Sequence, residues 1–303
     1  MEFAGQGLSA LPESLRELTT LEELDADRNR LASLPEWIGG LSHLKSLSLY
    51  SNKLTSLPAS LWGLTNLQTL NISENHLSSL PAEIGNLTGL RMLDLGHNEF
   101  ASLPDSLGNL RSLKFLYISN NRITSVPESL GDLKDLLYLN LTDNQLTSLP
   151  ESIGNLTELI ELRLYNNFFS SLPESLGRLG KLKEIHLMKN KLLALPAAIG
   201  KLATLKKLIL EGNKLTSLPE SIGGLSSLTD LDLRNNQLAA LPDSLGSLSN
   251  LRYLDLRANR LSALPAGLEK LTGLEKLDLR WNKFLAVPDW IPQLEQRGCV
   301  VFT

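Results

Sequence analysis

The chain has 303 residues, 33 acidic and 29 basic side chains, a formal charge of -4 and one cysteine, Cys299. That balance excludes a general field that would draw in nucleic acid or an anionic membrane, so any binding must come from local patches. A single cysteine excludes an internal disulfide and a cysteine-rich zinc site, and it suits a reducing compartment. The opening "MEFAGQGLSALPESL" lacks a basic start, an apolar core and a small-residue cleavage site, and no apolar run approaches membrane-spanning length. A cytoplasmic protein is the expectation. Sequons at Asn71, Asn86, Asn140 and Asn155 fall out of a recurring "NLT" or "NIS" and carry little weight as glycosylation sites.

From the N-terminus, residues 1–20 read as a partial unit in which Met1 and Phe3 fall on inward strand positions. The full unit is seen first at 21–43, "LEELDADRNRLASLPEWIGGLSH", as L-x-x-L-x-L-x-x-N-x-L-x-x-L-P-x-x-I-G-x-L-x-x. Prolines from Pro12 through Pro35 and Pro58 to Pro288, and asparagines from Asn29 through Asn52 and Asn75 to Asn282, recur at one constant spacing without insertion or deletion. Two columns locked to one period mean one structural unit stacked many times. Within each unit, apolar residues at alternate positions, such as Leu24 and Ala26 or Leu162 and Leu164, predict a short strand buried on one face. The asparagine follows as a buried amide that can satisfy both donors and acceptors of the turning backbone. Proline then presets a short helical return, and an acid behind it, as at Glu151 and Glu174, suits the positive end of that turn. Leu34, Ile38 and Leu41 close the core from the return side.

The predicted fold class is therefore α/β: a solenoid of horseshoe form, with a parallel concave sheet of about 14 strands and short helical or 3-10 return segments on the convex side. It reads as a single domain, 1–303, made of the partial first repeat at 1–20, twelve 23-residue repeats over 21–296 and a closing strand at 297–303. In that closing strand, after a break at Pro292, Val300 and Phe302 are expected on the inward positions.

The repeat "LPESIGNLTELIELRLYNN" is similar to the 23-residue class of leucine-rich repeat proteins, resembling Ras-related and Scribble-type members and bacterial members that end in segments like "LEQRGCVVFT". The resemblance covers essentially the whole chain and implies a module that binds other proteins on its concave strand face. It points towards bacteria and away from the extracellular branch with its cysteine-rich caps. A motif so specific for fold is nearly silent about function.

With the framework columns assigned, information lies at the outward positions of each strand. All five tyrosines, Tyr50, Tyr117, Tyr138, Tyr165 and Tyr253, fall there. Strand propensity alone would favour aromatics at such positions. Phe115, Tyr117, Tyr138 and Tyr165 nevertheless cluster with Met188 in repeats 5 to 7 and beyond, and exposed aromatic patches mark binding surfaces. The residue after the column asparagine is polar in eleven units and is Phe168 in the twelfth, whereas Phe169 matches the core residues Phe100, Ile123 and Phe284. Phe168 therefore either shields a neighbouring turn or extends the patch. The candidate partner-binding residues are Phe115, Tyr117, Tyr138, Arg163, Tyr165, Phe168, His186 and Met188.

Asp232, Asp255 and Asp278 run beside Arg234, Arg257 and Arg280 on three successive strands. A carboxylate column invites a divalent metal, but the arginines favour a self-satisfied ladder or a partner's polar contact. Glu23, Asp25 and Asp27 are acidic without paired bases. Trp37, Trp62 and Trp290 lie on the return side, where packing between turns accounts for them, while Trp281 sits at the end of the strand face. The four histidines are scattered, and His186, with Arg163 and Glu184 as neighbours, has no serine or cysteine nucleophile beside it. The reading is a non-enzymatic module, monomeric, without metal or cofactor, that recognises a protein partner and neither nucleic acid nor membrane. Its alternative is a structural segment of a larger signalling or effector protein, or an engineered repeat array, with no ligand of its own.

Overall fold

The computed structural model describes residues 1–283 and 288–303. Its packing divides into two compact units, Met1–Gln145 and Leu146–Thr303. The first carries β1 (Glu23–Asp25), β2 (Ser46–Ser48), β3 (Thr69–Asn71), β4 (Met92–Asp94), β5 (Phe115–Tyr117) and β6 (Tyr138–Asn140). The second carries β7 (Glu161–Arg163), β8 (Glu184–His186), β9 (Lys207–Ile209), β10 (Asp230–Asp232), β11 (Tyr253–Asp255), β12 (Lys276–Asp278), a helix α1 (Ile291–Gln296) and β13 (Val300–Phe302). Within each unit strand order is chain order and the pairing is parallel. Partners sit one repeat length apart, as in Phe115 with Tyr138 or Glu161 with Glu184, so the sequence period is the register of the sheet. The middle residue of each strand from β1 to β12 is buried, which leaves its two flanking side chains on the opposite face.

The asparagine column does what a buried amide can do. Asn98 donates through Nδ2 to the carbonyls of Ile72, Leu95 and Gly96 at 3.0, 3.2 and 3.1 Å, and its Oδ1 accepts the N–H of Leu77 at 3.0 Å. One side chain thus joins its own turn to the turn of the preceding repeat. The residue just before it takes a left-handed conformation, with φ near 52° at His97 and Lys189. Sister residues there are mostly small or polar, as that region prefers.

Return segments are five-residue 3-10 turns, each entered through the column proline in an extended conformation, as at Pro35 before Glu36–Gly40. The acid after the proline does not cap its own turn. Glu174 accepts the N–H groups of Ala197 and Ala198 in the next repeat at 3.0 and 2.8 Å, and Glu151 accepts that of Ser175 at 3.3 Å. The expected attraction to a positive turn end is therefore passed one repeat along. Adjacent turns touch through glycine: a Cβ on Gly108 would lie 2.5 Å from the carbonyl oxygen of Ser129. Trp62 replaces that glycine in its repeat and is buried at 3% exposure, and the facing residue of the following turn is Glu83 in place of serine. Trp290 is buried as well, and Trp37 is half-buried with its Nε1 donating to Glu13 at 3.2 Å, so these three act in packing between turns.

Both ends depart from the regular pattern. At the start, Met1 and Phe3 keep the phase of the repeat, but only an isolated bridge forms, between Glu2 and Asp25. Thirteen strands are therefore present among the described residues, with the bridge standing where a fourteenth was expected. At the other end Val301, not Val300, pairs with the core residue Leu277. Pro292 does not break the chain there but occupies the first turn of α1, and the step from Leu277 to Val301 runs one position past the repeat length that separates Leu254 from Leu277. A one-residue slip moves side chains to the other face of a strand. Cys299 is consequently buried, while Val300 and Phe302 are exposed with the outward columns, which corrects the inward placement expected for them. Phe100 and Phe169 are fully buried core residues as expected, whereas Phe284 lies outside the described residues. Among the described residues no helix is long and apolar enough to cross a membrane.

Candidate functional site

In the first unit, β5 and β6 present three aromatic rings on the outward face. Phe115 stands opposite Tyr138 in register and is 38% exposed. The rings of Tyr117 and Tyr138 lie 4.9 Å apart between centroids and are tilted by 38°, a favourable arrangement for two aromatic quadrupoles. The two are diagonal neighbours, Tyr117 being opposite Asn140 in register, so their long side chains lean across the strands to meet. Tyr50 is elsewhere on this face, with its hydroxyl donating to Glu74 at 2.9 Å. Among the described residues Glu23, Asp25 and Asp27 make no ion pairs, and burial pushes the Asp27 carboxyl above its ordinary value despite hydrogen bonds from Ser48 and Tyr50.

The second unit holds the other candidates. Arg163 Nε lies 2.5 Å from Glu161, and His186, opposite Arg163 in register, has Nε2 3.2 Å from Glu184 and 3.9 Å from Glu161. Lys207 closes the far side with its Nζ 3.2 Å from Glu184. Burial alone would raise the Glu184 carboxyl, but hydrogen bonds from His186 and Lys207 outweigh it and hold the group below its ordinary value. Ligand atoms of Glu161, Glu184 and His186 all fall within 4.8 Å of one another, the spacing of a metal-ligand set. Arg163 and Lys207 already supply two positive charges to the two carboxylates, so a cation would have to displace them. Glu161 and Lys207 are the members of this group that the sequence reading did not include.

Tyr165 and Met188 are half-buried on the same unit, and Phe168 is 44% exposed. The Phe168 ring does not stack on Tyr165; it carries the ammonium of Lys191 4.2 Å from its centroid. That contact is a cation-π pair between equivalent positions of successive repeats.

Two of the three steps of the arginine ladder are self-satisfied, while Arg234 bonds Glu211 at 2.6 Å and meets Asp232 only at 3.3 Å. Arg257 Nη2 lies 2.5 Å from Asp255 and its Nε 3.4 Å from Asp278, while Arg280 Nη2 lies 2.7 Å from Asp278. Asp278 is fully buried; burial would raise its carboxyl, yet the Arg280 hydrogen bonds and the nearby guanidinium groups hold it below the ordinary value. The aspartates also have a backbone role that the sequence reading missed. Oδ1 of Asp232, Asp255 and Asp278 accepts the N–H two residues ahead, and Asn71, Asp94 and Asn140 do the same in the first unit. Such local bonds favour Asp and Asn at the entrance to a turn. The positions two residues after these are correspondingly not all outward: Ser73 and Thr142, at the start of that turn, are buried. Two further exposed aromatics flank Arg280, whose guanidinium lies 5.5 Å from the ring of Trp281 and 4.9 Å from that of Phe302. Trp281 is 70% exposed and left-handed, with φ 62°, an unfavourable place for a bulky side chain. Phe302 reached this face through the longer step before β13, which strict periodicity hid.

A family model described as a leucine-rich repeat region matches residues 36–113, 59–137, 127–210 and 196–283. No curated protein sequence matches the chain. Among solved structures, a leucine-rich repeat protein of Leptospira interrogans is 31% identical with a TM-score of 0.65, over 100% of this chain and 95% of that one. An internalin from Listeria monocytogenes is 25% identical with a TM-score of 0.83, over 99% of this chain and 85% of the other. The ectodomain of the Arabidopsis receptor kinase HAESA, solved with a peptide hormone ligand, is 36% identical with a TM-score of 0.74 over 92% of this chain. The chain spans about half the length of that ectodomain, 49% of it.

Proposed function

Because the chain belongs to the leucine-rich repeat family, we propose that it is a protein-recognition module whose outward strand face binds a protein or peptide partner. The observation that carries this reading is the aromatic group of the first unit: Tyr117 in tilted contact with Tyr138 beside the exposed Phe115, on paired strands of the sheet. Large rings held rigid by neighbouring strands lose little entropy on binding and bury much apolar area, which is why Tyr and Phe recur as anchors. Peptide hormone binding by the HAESA ectodomain supports the same use of the fold. In the second unit Arg163, Tyr165, Phe168, His186 and Met188 are proposed to supply further contacts, with the Arg163, Glu161 and His186 network giving polar specificity. The same reading has the chain work in a reducing compartment as a binder rather than a catalyst.

The experiment is a binding comparison of the wild type with a Tyr117→Ala, Tyr138→Ala double variant, using a partner isolated on the wild-type protein. Loss of two anchor rings weakens binding by about 2 kcal/mol or more, some thirtyfold, with the melting temperature nearly unchanged. Unaltered affinity in the double variant contradicts the assignment of the anchor.

A further inference from the structure

Inside the second unit, the outward face of β9 to β12 carries an open cavity of about 220 Å3. Its lining combines Ile209 and Tyr253 with Asp230, Asp232, Asp255 and Lys276. Ile209 is the one aliphatic side chain among the last residues of strands β1 to β12, the others being polar or aromatic. An apolar floor under three carboxylates is a specific combination: it favours a ligand with a hydrocarbon body and a positive tip.

The cations already present are each drawn elsewhere. Lys276 Nζ sits 5.3 Å from the centre of the Phe302 ring. Arg234 Nη2 is 2.6 Å from Glu211, and both Nε and Nη2 of Arg257 bond Asp255. Asp232 is left with one hydrogen bond, from the N–H of Arg234 at 3.1 Å, and with Arg234 Nε at 3.3 Å in poor geometry, since that Nε has no hydrogen-bond partner. Asp230 accepts from the Thr229 hydroxyl at 2.6 Å and has no ion pair among the described residues. Burial, added to by the charges of Asp255 and Glu211 and opposed by the Arg234 N–H and guanidinium, pushes Asp232 up to about 6. A carboxylate in that condition gains from an incoming cation more than a solvated one does.

We propose that this cavity receives a lysine side chain of the protein partner, its stem against Ile209 and Tyr253 and its ammonium between Asp232 and Asp230. The inference rests on the protein-recognition reading and names one residue class of the partner. Lysine fits better than arginine because the acceptors left over are single oxygens on separate carboxylates; both oxygens of Asp255 are taken by Arg257. A compact ammonium with three donors matches that arrangement, whereas a planar fork seeks two oxygens of one group.

The test is an NMR titration of the full chain with N-acetyl-lysine amide and, separately, N-acetyl-norleucine amide, which has a matching hydrocarbon body and no charge. Saturable shifts centred on the amides of Ile209, Asp232 and Tyr253 are expected with the lysine probe, about tenfold weaker binding with norleucine, and about tenfold weaker lysine binding in Asp232→Asn. That variant keeps the Oδ1 acceptor for Arg234, and unchanged resonances away from the cavity establish that it is folded. No saturable shift, equal binding of the two probes, or an Asp232→Asn variant that binds lysine as well as the wild type overturns the proposal. Since the probe needs no protein partner, such a failure is separate from any failure of the Tyr117 and Tyr138 anchor.

Discussion

Replacing Asn98 with alanine removes one amide and leaves its neighbours unequally affected. The carbonyl of Ile72 keeps the amide of Asn75 at 3.1 Å, that of Leu95 keeps Asn121 at 3.0 Å, and that of Gly96 keeps the N–H of Glu74 at 2.9 Å. The N–H of Leu77 has no substitute: its acceptor is Asn98 Oδ1, and the residue is almost wholly buried. One orphaned buried donor costs about 1–3 kcal/mol, and three carbonyls reduced to one partner each add less than a full orphan apiece. The expected loss is therefore about 2–3 kcal/mol rather than four separate hydrogen bonds. Urea denaturation followed by circular dichroism gives the magnitude, and amide exchange at Leu77, which should accelerate before global unfolding, gives the location. Asn98→Asp retains an oxygen for Leu77 but turns a second oxygen toward three carbonyls, so it should be worse than alanine near neutral pH and recover on acidification. A loss below about 0.5 kcal/mol in Asn98→Ala, or an aspartate variant as stable as the wild type, refutes the account of the column.

Three other outcomes follow from the same geometry. Gly108→Ala places a Cβ 2.5 Å from the Ser129 carbonyl oxygen and should cost about 1–3 kcal/mol, whereas Gly63→Ala, with nothing within 4 Å, should be nearly neutral in the same thermal melts. Phe168→Ala should weaken partner binding by about 2 kcal/mol while leaving the fold almost unchanged, since the ring is 44% exposed and touches Lys191; a variant that binds normally but melts clearly earlier makes the ring a packing residue. Asp232 has a folded-state value near 6 against an ordinary 3.8, so the native state holds its proton longer and wild-type stability falls as pH rises from about 4 through about 6. Asp232→Asn should accordingly stabilise the protein at pH 7.5 by up to about 3 kcal/mol and make no difference below about pH 4, which urea midpoints across that range will measure.

Most of the architecture was legible because it depends on period and residue type. Pro and Asn columns sharing one period set the register, and the apolar alternation around Leu24 or Leu162 set the buried face. What was hidden depends on single-residue offsets and on bonds between repeats. Nothing in the local pattern of "LEQRGCVVFT" reveals that β13 comes one residue later than the repeat length sets, and that one residue puts Phe302 beside Arg280 instead of in the core. Nor does the acid after each proline announce that its bonds, where Glu174 meets Ala197 and Ala198, go to the next turn. At the candidate site, residue types at the outward positions located the tyrosines, but the tilted contact of Tyr117 with Tyr138 and the pairing of Phe168 with Lys191 depend on rotamers that a sequence does not specify. The aspartates of the ladder carried a double meaning: their Asx bonds to the backbone and their ion pairs both favour the same residue, so frequency alone could not separate scaffold from site.

The central claim, that the strand face is where a partner binds, is tested most directly by site-specific photo-cross-linking. A benzophenone side chain is placed at Tyr117 on the outward face of β5 and, in a second protein, at Glu128 on the 3-10 turn of the same repeat, and each is irradiated with the partner present. The account predicts a discrete adduct from position 117 and none from position 128. Cross-linking from position 128 with none from 117 would put recognition on the return side and contradict it.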